Sequence, residues 1–420
     1  MTETLLLVVL IGALILLRQN LMVILGVAAF YVYRVFGAEP MHYVILDAWN
    51  ALNKDLLLSI PLFLLAGQIM TRGSMAARLV RLVKALSAPI PGGLAVATVL
   101  SCALFAAISG SSTVTLLAVG GIMYPALLKA GYSKAFSLGA LCAAGTLGIV
   151  VPPSIPLILY GVMTHTSITD LFIAGILPAL VLTALMSGYA LWCNRRIPAQ
   201  SLDLRELWAA LQQGVWSLFM PILILGGIYS GHFTATESAA VAVVYAFVVE
   251  LFIHRELKPA HTHEVITATT CLLGSLFPVL MFAVSLNTFL TYEQAPMAAA
   301  AWFSEHVANQ YGFLLGVNLF LLLSGAIMDI GSAILVLAPT LKPIAEGLGI
   351  DPVHFGIVMI VNLEIGYLTP PFGLNLIVAM GAFKVTFMEA CKSVIPFLLL
   401  MLIGLLLVSF LPALSLALLA

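Results

Sequence analysis

Two short stretches of the sequence place glycine, proline and hydroxyl residues inside long apolar runs. The first is GTLGIVVPPSIP at 145–156, and the second is IGYLTPPFGLN at 365–375. Proline removes a backbone donor and clashes with the preceding helical turn, and glycine leaves helical geometry at low cost. A helix broken in this way frees carbonyls that can coordinate a cation. The helix that restarts presents free N–H groups and a positive dipole end, which favour an anion.

The composition determines which solvent surrounds these stretches. The 420 residues are 62% hydrophobic and 8% charged, and the mean hydropathy is +1.14. Soluble domains carry about 25% charged residues. The chain is therefore predicted to be an integral membrane protein. Its 17 basic and 18 acidic residues leave a net charge of −1, which gives no electrostatic footprint for nucleic acid.

Apolar runs of about 20 residues predict the membrane spans. Residues 4–17 are short for a span, and two long runs are interrupted by Pro-Pro. Lys and Arg collect in cytoplasmic loops, and this rule places both ends of 91–126 on the cytoplasmic face. The segment is therefore either two full spans or a re-entrant hairpin, and its polar midpoint SGSSTVT at 109–115 favours the hairpin. A second hairpin, 311–346, enters from the opposite face. The predicted spans are 20–37, 55–71, 135–163, 171–192, 207–229, 236–254, 264–284, 352–383 and 388–415.

The two stretches belong to an internal repeat. Shifting the chain by 218 residues superposes Gly148 on Gly366 and Pro152-Pro153 on Pro370-Pro371. The hairpin tips match only with a three-residue insertion, which pairs 110–111 with 331–332. Five predicted crossings separate the copies, so the second is inverted. The predicted fold is an all-α membrane protein with an inverted repeat of two re-entrant hairpins and two Pro-broken helices, a construction of secondary transporters.

Three acidic residues near these features have alternative interpretations. Asp329, within LLLSGAIMDIGSAIL, is either a functional residue inside the membrane or the cap of the helix that follows it. Glu364 lies one turn before the second break and either serves the site or faces a scaffold helix. Glu237, in GHFTATESAA, is better explained by helix capping with Thr234 or Thr236.

Three long runs of the sequence are typical of one family. They are AAISGSSTVTLLAVGGIMYPALLKAGYSKAFSLGALCAAGTLGIVVPPSIPLILYG, GGIYSGHFTATESAAVAVVYA and DPVHFGIVMIVNLEIGYLTPPFGLNLIVA. These runs resemble the large membrane subunit of tripartite ATP-independent periplasmic (TRAP) transporters. The resemblance implies an elevator-type transporter in the bacterial inner membrane that imports a small organic anion with sodium as the coupling ion. It implies two protein partners, a small membrane subunit and a periplasmic substrate-binding protein, besides the lipid bilayer.

Matching the family's motifs residue by residue implies two sodium sites and a substrate site. The first sodium site comprises Ser109, Ser111, Gly148, Val151 and Pro153. The pseudo-equivalent second site comprises Asp329, Gly331, Gly366, Thr369 and Pro371. The substrate would lie between them, near Ser112, Thr113, Ser154 and Asn375.

The same resemblance divides the chain into scaffold and transport segments. Residues 1–90 are expected to form scaffold helices and an amphipathic arm, and 91–192 the first transport-domain repeat. Residues 193–310 are expected to form further scaffold helices and a second arm, and 311–420 the second transport-domain repeat.

Two rival functions remain open at the level of sequence. A stand-alone sodium/anion symporter of similar design would need no binding protein, and an intramembrane enzyme would use Ser111 or Asp329 in catalysis. The sequence contains no G-x-x-x-x-G-K-[ST] motif, so we expect a gradient rather than ATP to drive transport. We expect no cofactor. Candidate substrates are a dicarboxylate or a sugar acid such as a sialic acid.

Overall fold

A computed structural model describes residues 2–17, 19–37, 41–294, 298 and 309–419. Within these residues the secondary structure is helical, and ten helices are long and apolar enough to cross a membrane. A short 3₁₀ helix, Asp55–Leu58, leads into the fourth α-helix. The first five α-helices of the chain are α1 (Thr2–Leu16), α2 (Leu21–Val35), α3 (His42–Leu52), α4 (Ser59–Arg72) and α5 (Met75–Ser87).

The next five helices form the first repeat. The hairpin consists of two helices that meet at residues 110–111, here named tip 1. The broken helix is interrupted at residues 151–154, here named break 1. The helices of this repeat are α6 (Gly93–Ser109), α7 (Ser112–Lys129), α8 (Lys134–Val150), α9 (Ile155–Thr164) and α10 (Ile168–Asn194).

Three long helices separate the repeats. They are α11 (Leu204–Tyr229), α12 (Ala235–Val248) and α13 (Pro259–Tyr292), and a π-helical turn, Val249–Ile253, continues α12. Helix α12 packs against α4, and α13 packs against α2, α3 and α4. We call α1–α5 and α11–α13 the non-repeat helices.

The second repeat has the same order of elements as the first. Its hairpin turns at residues 328–329 (tip 2), and its broken helix is interrupted at residues 367–373 (break 2). A short helix, α19 (Ala413–Leu416), comes after the five helices of this repeat. The helices are α14 (Gln310–Ile327), α15 (Ile330–Gly347), α16 (Pro352–Gly366), α17 (Leu374–Phe383) and α18 (Phe387–Phe410).

The offset of 218 residues also relates the helix boundaries. Adding 218 to the bounds of α7 gives 330–347, which are the bounds of α15. The same offset carries tip 1 onto tip 2, so the predicted three-residue insertion between the tips is wrong. Ser111 corresponds to Asp329, and both are the N-cap residues of the helices that follow. The Ser111 hydroxyl and the Asp329 carboxylate therefore occupy equivalent positions. A comparison of residue types alone wrongly aligned residues 110–111 with 331–332.

Every predicted span coincides with a helix, with some corrections to length. The predicted span 264–284 is part of the longer α13, which extends to Tyr292, so this helix ends later than predicted. Helix α3 was not predicted. Part of the segment assigned to a second arm, residues 299–308, lies outside the described residues.

The predicted amphipathic arm forms α5, which packs against α11 and α6. Its N-terminus is held by Glu250, a fully buried residue of the π-helical turn, whose carboxylate accepts hydrogen bonds from the backbone N–H groups of Ser74 and Met75, both at 2.8 Å. Burial, with Arg78 nearby, lowers the pKa of the adjacent His254 to about 4. The non-repeat helices therefore fix the point at which the arm begins, on the path towards hairpin 1.

The outer face of the arm is anchored by an ion pair. Arg81 donates two hydrogen bonds to the carboxylate of Glu206 on α11, at 2.8 and 2.9 Å, and a third to Gln213 at 2.8 Å. A bidentate pair of this kind fixes orientation more firmly than a single contact. The arm is thus attached to α11 at Arg81 as well as to Glu250 at its start.

Candidate functional site

Tip 1 lies directly against the end of α8. Gly110 adopts a left-handed conformation with φ of 57°, which glycine accepts without strain. A Cβ atom on Gly148 would lie 2.5 Å from the carbonyl oxygen of Ser111. The backbone N–H of Ile155 lies 3.4 Å from the Gly110 carbonyl oxygen, so tip 1 contacts both sides of break 1. The structure therefore brings Ser111, Gly148 and the start of α9 together.

The two prolines of break 1 change the hydrogen bonding of two carbonyl groups. In an uninterrupted helix Pro152 and Pro153 would stand where N–H donors reach the carbonyls of Gly148 and Ile149. The Ser154 hydroxyl donates to the Ile149 carbonyl instead. No described residue donates to the Gly148 carbonyl. Break 1 thus offers one backbone oxygen without a donor, next to the serine residues of tip 1.

The hydroxyl groups of tip 1 are tightly packed. Ser109 is buried, and its Oγ lies 2.7 Å from Oγ1 of Thr115 and 3.3 Å from the carbonyl oxygen of Ser111. Val151 continues the last turn of α8 through its N–H bond to the Leu147 carbonyl at 2.9 Å. The five residues expected at the first sodium site therefore lie close together in the fold. Ser111 is in tip 1 and Ser109 precedes it, while Val151 and Pro153 are in break 1 and Gly148 precedes it on α8.

Tip 2 approaches break 2 through a tyrosine. The backbone N–H of Ile330 donates to the hydroxyl of Tyr367 at 3.1 Å. A Cβ atom on Gly366 would lie 2.5 Å from the carbonyl carbon of Gly325, so the second hairpin packs on α16 without space for a side chain. Thr369 donates to the Ile365 carbonyl at 3.0 Å. No hydrogen bond between described residues joins Asp329 to Thr369.

Asp329 caps α15, which is one of its two sequence interpretations. Its carboxylate accepts hydrogen bonds from the backbone N–H of Ser332, at 3.0 Å, and from the hydroxyl of the same residue. The residue also lines a cavity together with Gly331, and its role as a functional residue stays a prediction. Glu237 forms a complete capping box with Thr234, as predicted.

A cavity of about 590 Å³ lies between the two tips and the non-repeat helices α4 and α13. Ser111, Ser112 and Thr113 line it from the start of α7, Ile155 and Pro156 from the start of α9, and Ile330 from the start of α15. Three helix N-termini therefore converge on one space. Each brings the positive end of its helix dipole to this space, an arrangement suited to an anion.

Two of the four expected substrate residues do not line this cavity. Asn375 is fully buried, accepts a hydrogen bond from Ser112 Oγ at 2.8 Å and donates one to the Cys142 carbonyl at 3.2 Å. Ser154 is buried, and its hydroxyl donates to Ile149. Asn375 instead connects the two repeats behind the cavity, where it orients Ser112.

The wall formed by the non-repeat helices was not predicted. It carries Gln68 on α4 and Cys271 and Ser275 on α13, and Tyr367 of break 2 joins them. In the sequence these residues are visible only as polar side chains within apolar runs. Such a pattern is weak evidence for a binding site, because the sequence does not show which way each side chain faces. Helices α4 and α13 are distant in the chain, so only the fold brings them to one cavity.

Glu364 contacts the equivalent residue of the other repeat. Its Oε1 accepts a hydrogen bond from Thr146 Oγ1 at 2.5 Å, and the two residues are separated by 218 positions, the repeat offset. Both side chains are fully buried. Equivalent residues meet where a two-fold axis relates two copies, so the contact supports the inverted arrangement. Glu364 faces α8 of the first repeat, not a scaffold helix.

Comparison with known proteins identifies the family. The sequence profile described as "Tripartite ATP-independent periplasmic transporter, DctM component" matches residues 7–414. The C4-dicarboxylate TRAP transporter large permease protein DctM of Pseudomonas aeruginosa is 41% identical over 94% of this chain and 93% of its own length. The chain belongs to the TRAP transporter large permease family. The ectoine TRAP transporter large permease protein TeaC of Halomonas elongata is 34% identical, over 90% of both chains.

Solved structures support the fold. The Alcanivorax borkumensis YdaH transporter superposes with a TM-score of 0.67 at 15% identity, over 90% of this chain and 89% of that one. A TRAP large permease is a transporter, so the intramembrane enzyme is excluded as a function for this chain. The chain is a multi-pass protein of the bacterial inner membrane, and it takes part in substrate import by a TRAP system.

Proposed function

We propose that this chain imports a small organic anion, and that a sodium gradient drives the import. Its two repeats would carry the anion across the membrane by an elevator movement. A separate small membrane subunit and a periplasmic substrate-binding protein complete the transporter. The observation that carries the proposal is the juxtaposition of the donor-free Gly148 carbonyl and tip 1 beside a cavity at which three helix N-termini converge. Unwound carbonyls for cations and half-helix N-termini for anions are the recurring elements of sodium-coupled transporters.

The proposed ion sites follow the two breaks. Ser109, Ser111, Gly148, Val151 and Pro153 would supply oxygen atoms around one sodium ion at break 1. The second ion would use tip 2, with Asp329 and Gly331, and the residues Gly366, Thr369 and Pro371 of break 2. Each sodium ion that enters down the membrane potential contributes roughly 2.3 kcal/mol per 100 mV, so two ions would offset the charge of an anion.

The substrate class is a small organic acid. Among the described residues that line the cavity, Asp329 is the charged one, and no Lys, Arg or His is present. A carboxylate there would be held by helix N-termini and hydroxyl groups, with Ser112 and Thr113 at the start of α7. Two relatives are named for C4-dicarboxylates and for ectoine, and both kinds of compound carry a carboxylate group. This is consistent with recognition of a carboxylate by the cavity.

The elevator movement would separate the two walls of the cavity. The hairpins and broken helices form one wall and belong to the transport segments 91–192 and 311–420. Helices α4 and α13 form the other wall and belong to the scaffold segments 1–90 and 193–310. The arm α5, attached to the scaffold at Glu250, would connect the moving and fixed parts.

Uptake into proteoliposomes tests the proposal. The chain is reconstituted with its small subunit and offered labelled succinate, ectoine and N-acetylneuraminate, with and without a sodium gradient and the cognate binding protein. We expect uptake of one acid that needs both additions. Uptake that needs sodium but no binding protein would identify the stand-alone symporter. Uptake that is indifferent to sodium would overturn the proposed coupling.

A further inference from the structure

Gln68 is a polar side chain for which the proposed function has no role. It lies in the apolar span Asp55–Arg72, is half-buried and makes no hydrogen bond with any described residue. Polar side chains within an apolar membrane span are usually functional. Its position on the cavity wall makes it a candidate for ligand recognition.

The neighbouring residue fixes the distance between the two walls. A Cβ atom on Gly67 would lie 3.2 Å from the Cα atom of Ser109 and 3.3 Å from its carbonyl oxygen, so α4 touches the end of α6. Gln68 follows this contact directly and lines the same cavity as Ser111 and Thr113. A small ligand held at tip 1 would therefore lie between the hairpin and the Gln68 side chain.

The hydrogen-bond donors of the cavity distinguish Gln68 from its neighbours. Among the described lining residues it is the one whose side chain carries N–H donors, and it has two of them. The hydroxyl of Ser112 already donates to Asn375, and that of Ser275 donates to the Leu272 carbonyl. Of the described lining residues on α4 and α13, Gln68 is thus the one with side-chain N–H groups free to bind an anionic oxygen.

We infer that Gln68 is a specificity-determining residue of the transport site, and that its amide donates a hydrogen bond to a carboxylate oxygen of the substrate from the scaffold side. The inference rests on the proposed function, because it assumes that the cavity holds the organic acid. Since α4 belongs to the expected scaffold, the substrate would exchange this hydrogen bond for others when the transport segments move.

Two substitutions and one matched control test the role of Gln68. Gln68→Leu removes the amide at similar volume, and Gln68→Glu keeps the shape but places a negative charge beside the substrate. Gln212→Glu makes the same charge change on α11, where the side chain is exposed and does not line the cavity. All three are reconstituted with the small subunit and assayed with the acid that the wild type transports from the panel above.

A binding measurement separates recognition from movement. Cys271 lines the same wall as Gln68, and alkylation of its thiol by N-ethylmaleimide is followed by mass spectrometry in a Cys193→Ser, Cys391→Ser background. The two remaining cysteines, Cys102 and Cys142, are buried. The acid, with sodium, is expected to protect Cys271, and its half-protecting concentration reports binding without translocation.

The expected result is a loss of affinity with little loss of maximal rate. Gln68→Leu should raise KM and the half-protecting concentration about tenfold, since a hydrogen bond to a charged group is lost. Gln68→Glu should raise both about 100-fold through like-charge repulsion. The sodium concentration for half-maximal uptake should not change, and Gln212→Glu should match the wild type.

The outcomes distinguish this inference from the proposed function. If the wild type takes up no acid under any condition, the proposed function fails and the inference fails with it. If the wild type transports normally but both Gln68 variants keep wild-type KM and protection, only the inference is overturned. A fall in maximal rate or a shift in sodium dependence at unchanged KM would assign Gln68 a structural role and would also overturn it.

Discussion

Break 1 and break 2 occupy equivalent positions in the two repeats but have different surroundings. Pro152, Pro153 and Ser154 are buried in break 1, whereas the corresponding Pro370, Pro371 and Phe372 are exposed in break 2. A repeated sequence motif therefore does not guarantee a repeated environment. Break 1 is therefore largely enclosed by protein, whereas these three residues of break 2 are exposed.

The two breaks also differ in how their carbonyl groups are used. In break 2 the Gly366 carbonyl accepts from Thr369 N–H at 3.0 Å, and the Tyr367 carbonyl accepts from Asn375 N–H at 3.2 Å. In break 1 the equivalent Gly148 carbonyl receives no donor from any described residue. We therefore expect break 1 to be the tighter of the two proposed cation sites, because an oxygen atom there need not give up a hydrogen bond.

The largest expected effect is a difference in stability between two truncations, one of an apolar side chain just before break 1 and one of an apolar side chain in break 2. Ile149 is 2% exposed and Phe372 is 56% exposed. Ile149→Ala should lower the free energy of unfolding by about 2–5 kcal/mol, because it leaves a cavity in a packed region. Phe372→Ala should change it by less than about 0.5 kcal/mol. Thermal unfolding of the purified complex in detergent measures both, and equal shifts would contradict the contrast between the breaks.

The second prediction concerns the glycine that contacts tip 1. Gly148→Ala should destabilise the protein by about 1–3 kcal/mol, because the added Cβ meets rigid backbone at 2.5 Å, and sodium-dependent uptake should be lost. Gly121→Ala on α7 is the matched control, since a Cβ there meets nothing within 4 Å. Normal uptake by Gly148→Ala would show that the contact between tip 1 and α8 is dispensable.

The third prediction addresses the contact that joins the helices preceding the two breaks. Thr146→Val keeps the volume but removes the described hydrogen-bond partner of Glu364, which should cost about 1–3 kcal/mol. Thr146→Ser retains the hydroxyl and should recover most of this loss. The apparent melting temperatures of the two variants decide the matter, and equal values would mean that the hydroxyl contributes nothing.

The smallest expected effect is the difference in stability between removing a hydroxyl group from break 1 and removing one from break 2. Ser154→Ala should cost about 0.5–1.5 kcal/mol, because a buried hydrogen bond to the Ile149 carbonyl is lost. Thr369→Ala should cost less, since its hydroxyl is only half-buried and solvent can replace its bond to Ile365. The same unfolding assay tests the order, and a larger shift for Thr369→Ala would reverse our description of the two breaks.

Apolar length and proline placement predicted most helices of this fold, because each depends on local sequence. Helix α3, His42–Leu52, was missed because Asp47 and Asn50 interrupt its apolar run, and its packing on α13 becomes visible only in three dimensions. The equivalence of the tips was misaligned because Ser111 and Asp329 share a position but no side-chain type. The wall that carries Gln68 could not be inferred, since it requires α4 and α13 to converge.

The contact between Thr146 and Glu364 bears on the history of the chain. Two separate copies of an ancestral half, associated about a two-fold axis, could place only threonine opposite threonine or glutamate opposite glutamate at this point. A hydroxyl donating to a carboxylate requires the two positions to differ. Two identical halves could not form this pair, so the contact depends on the two copies of the repeat having different sequences.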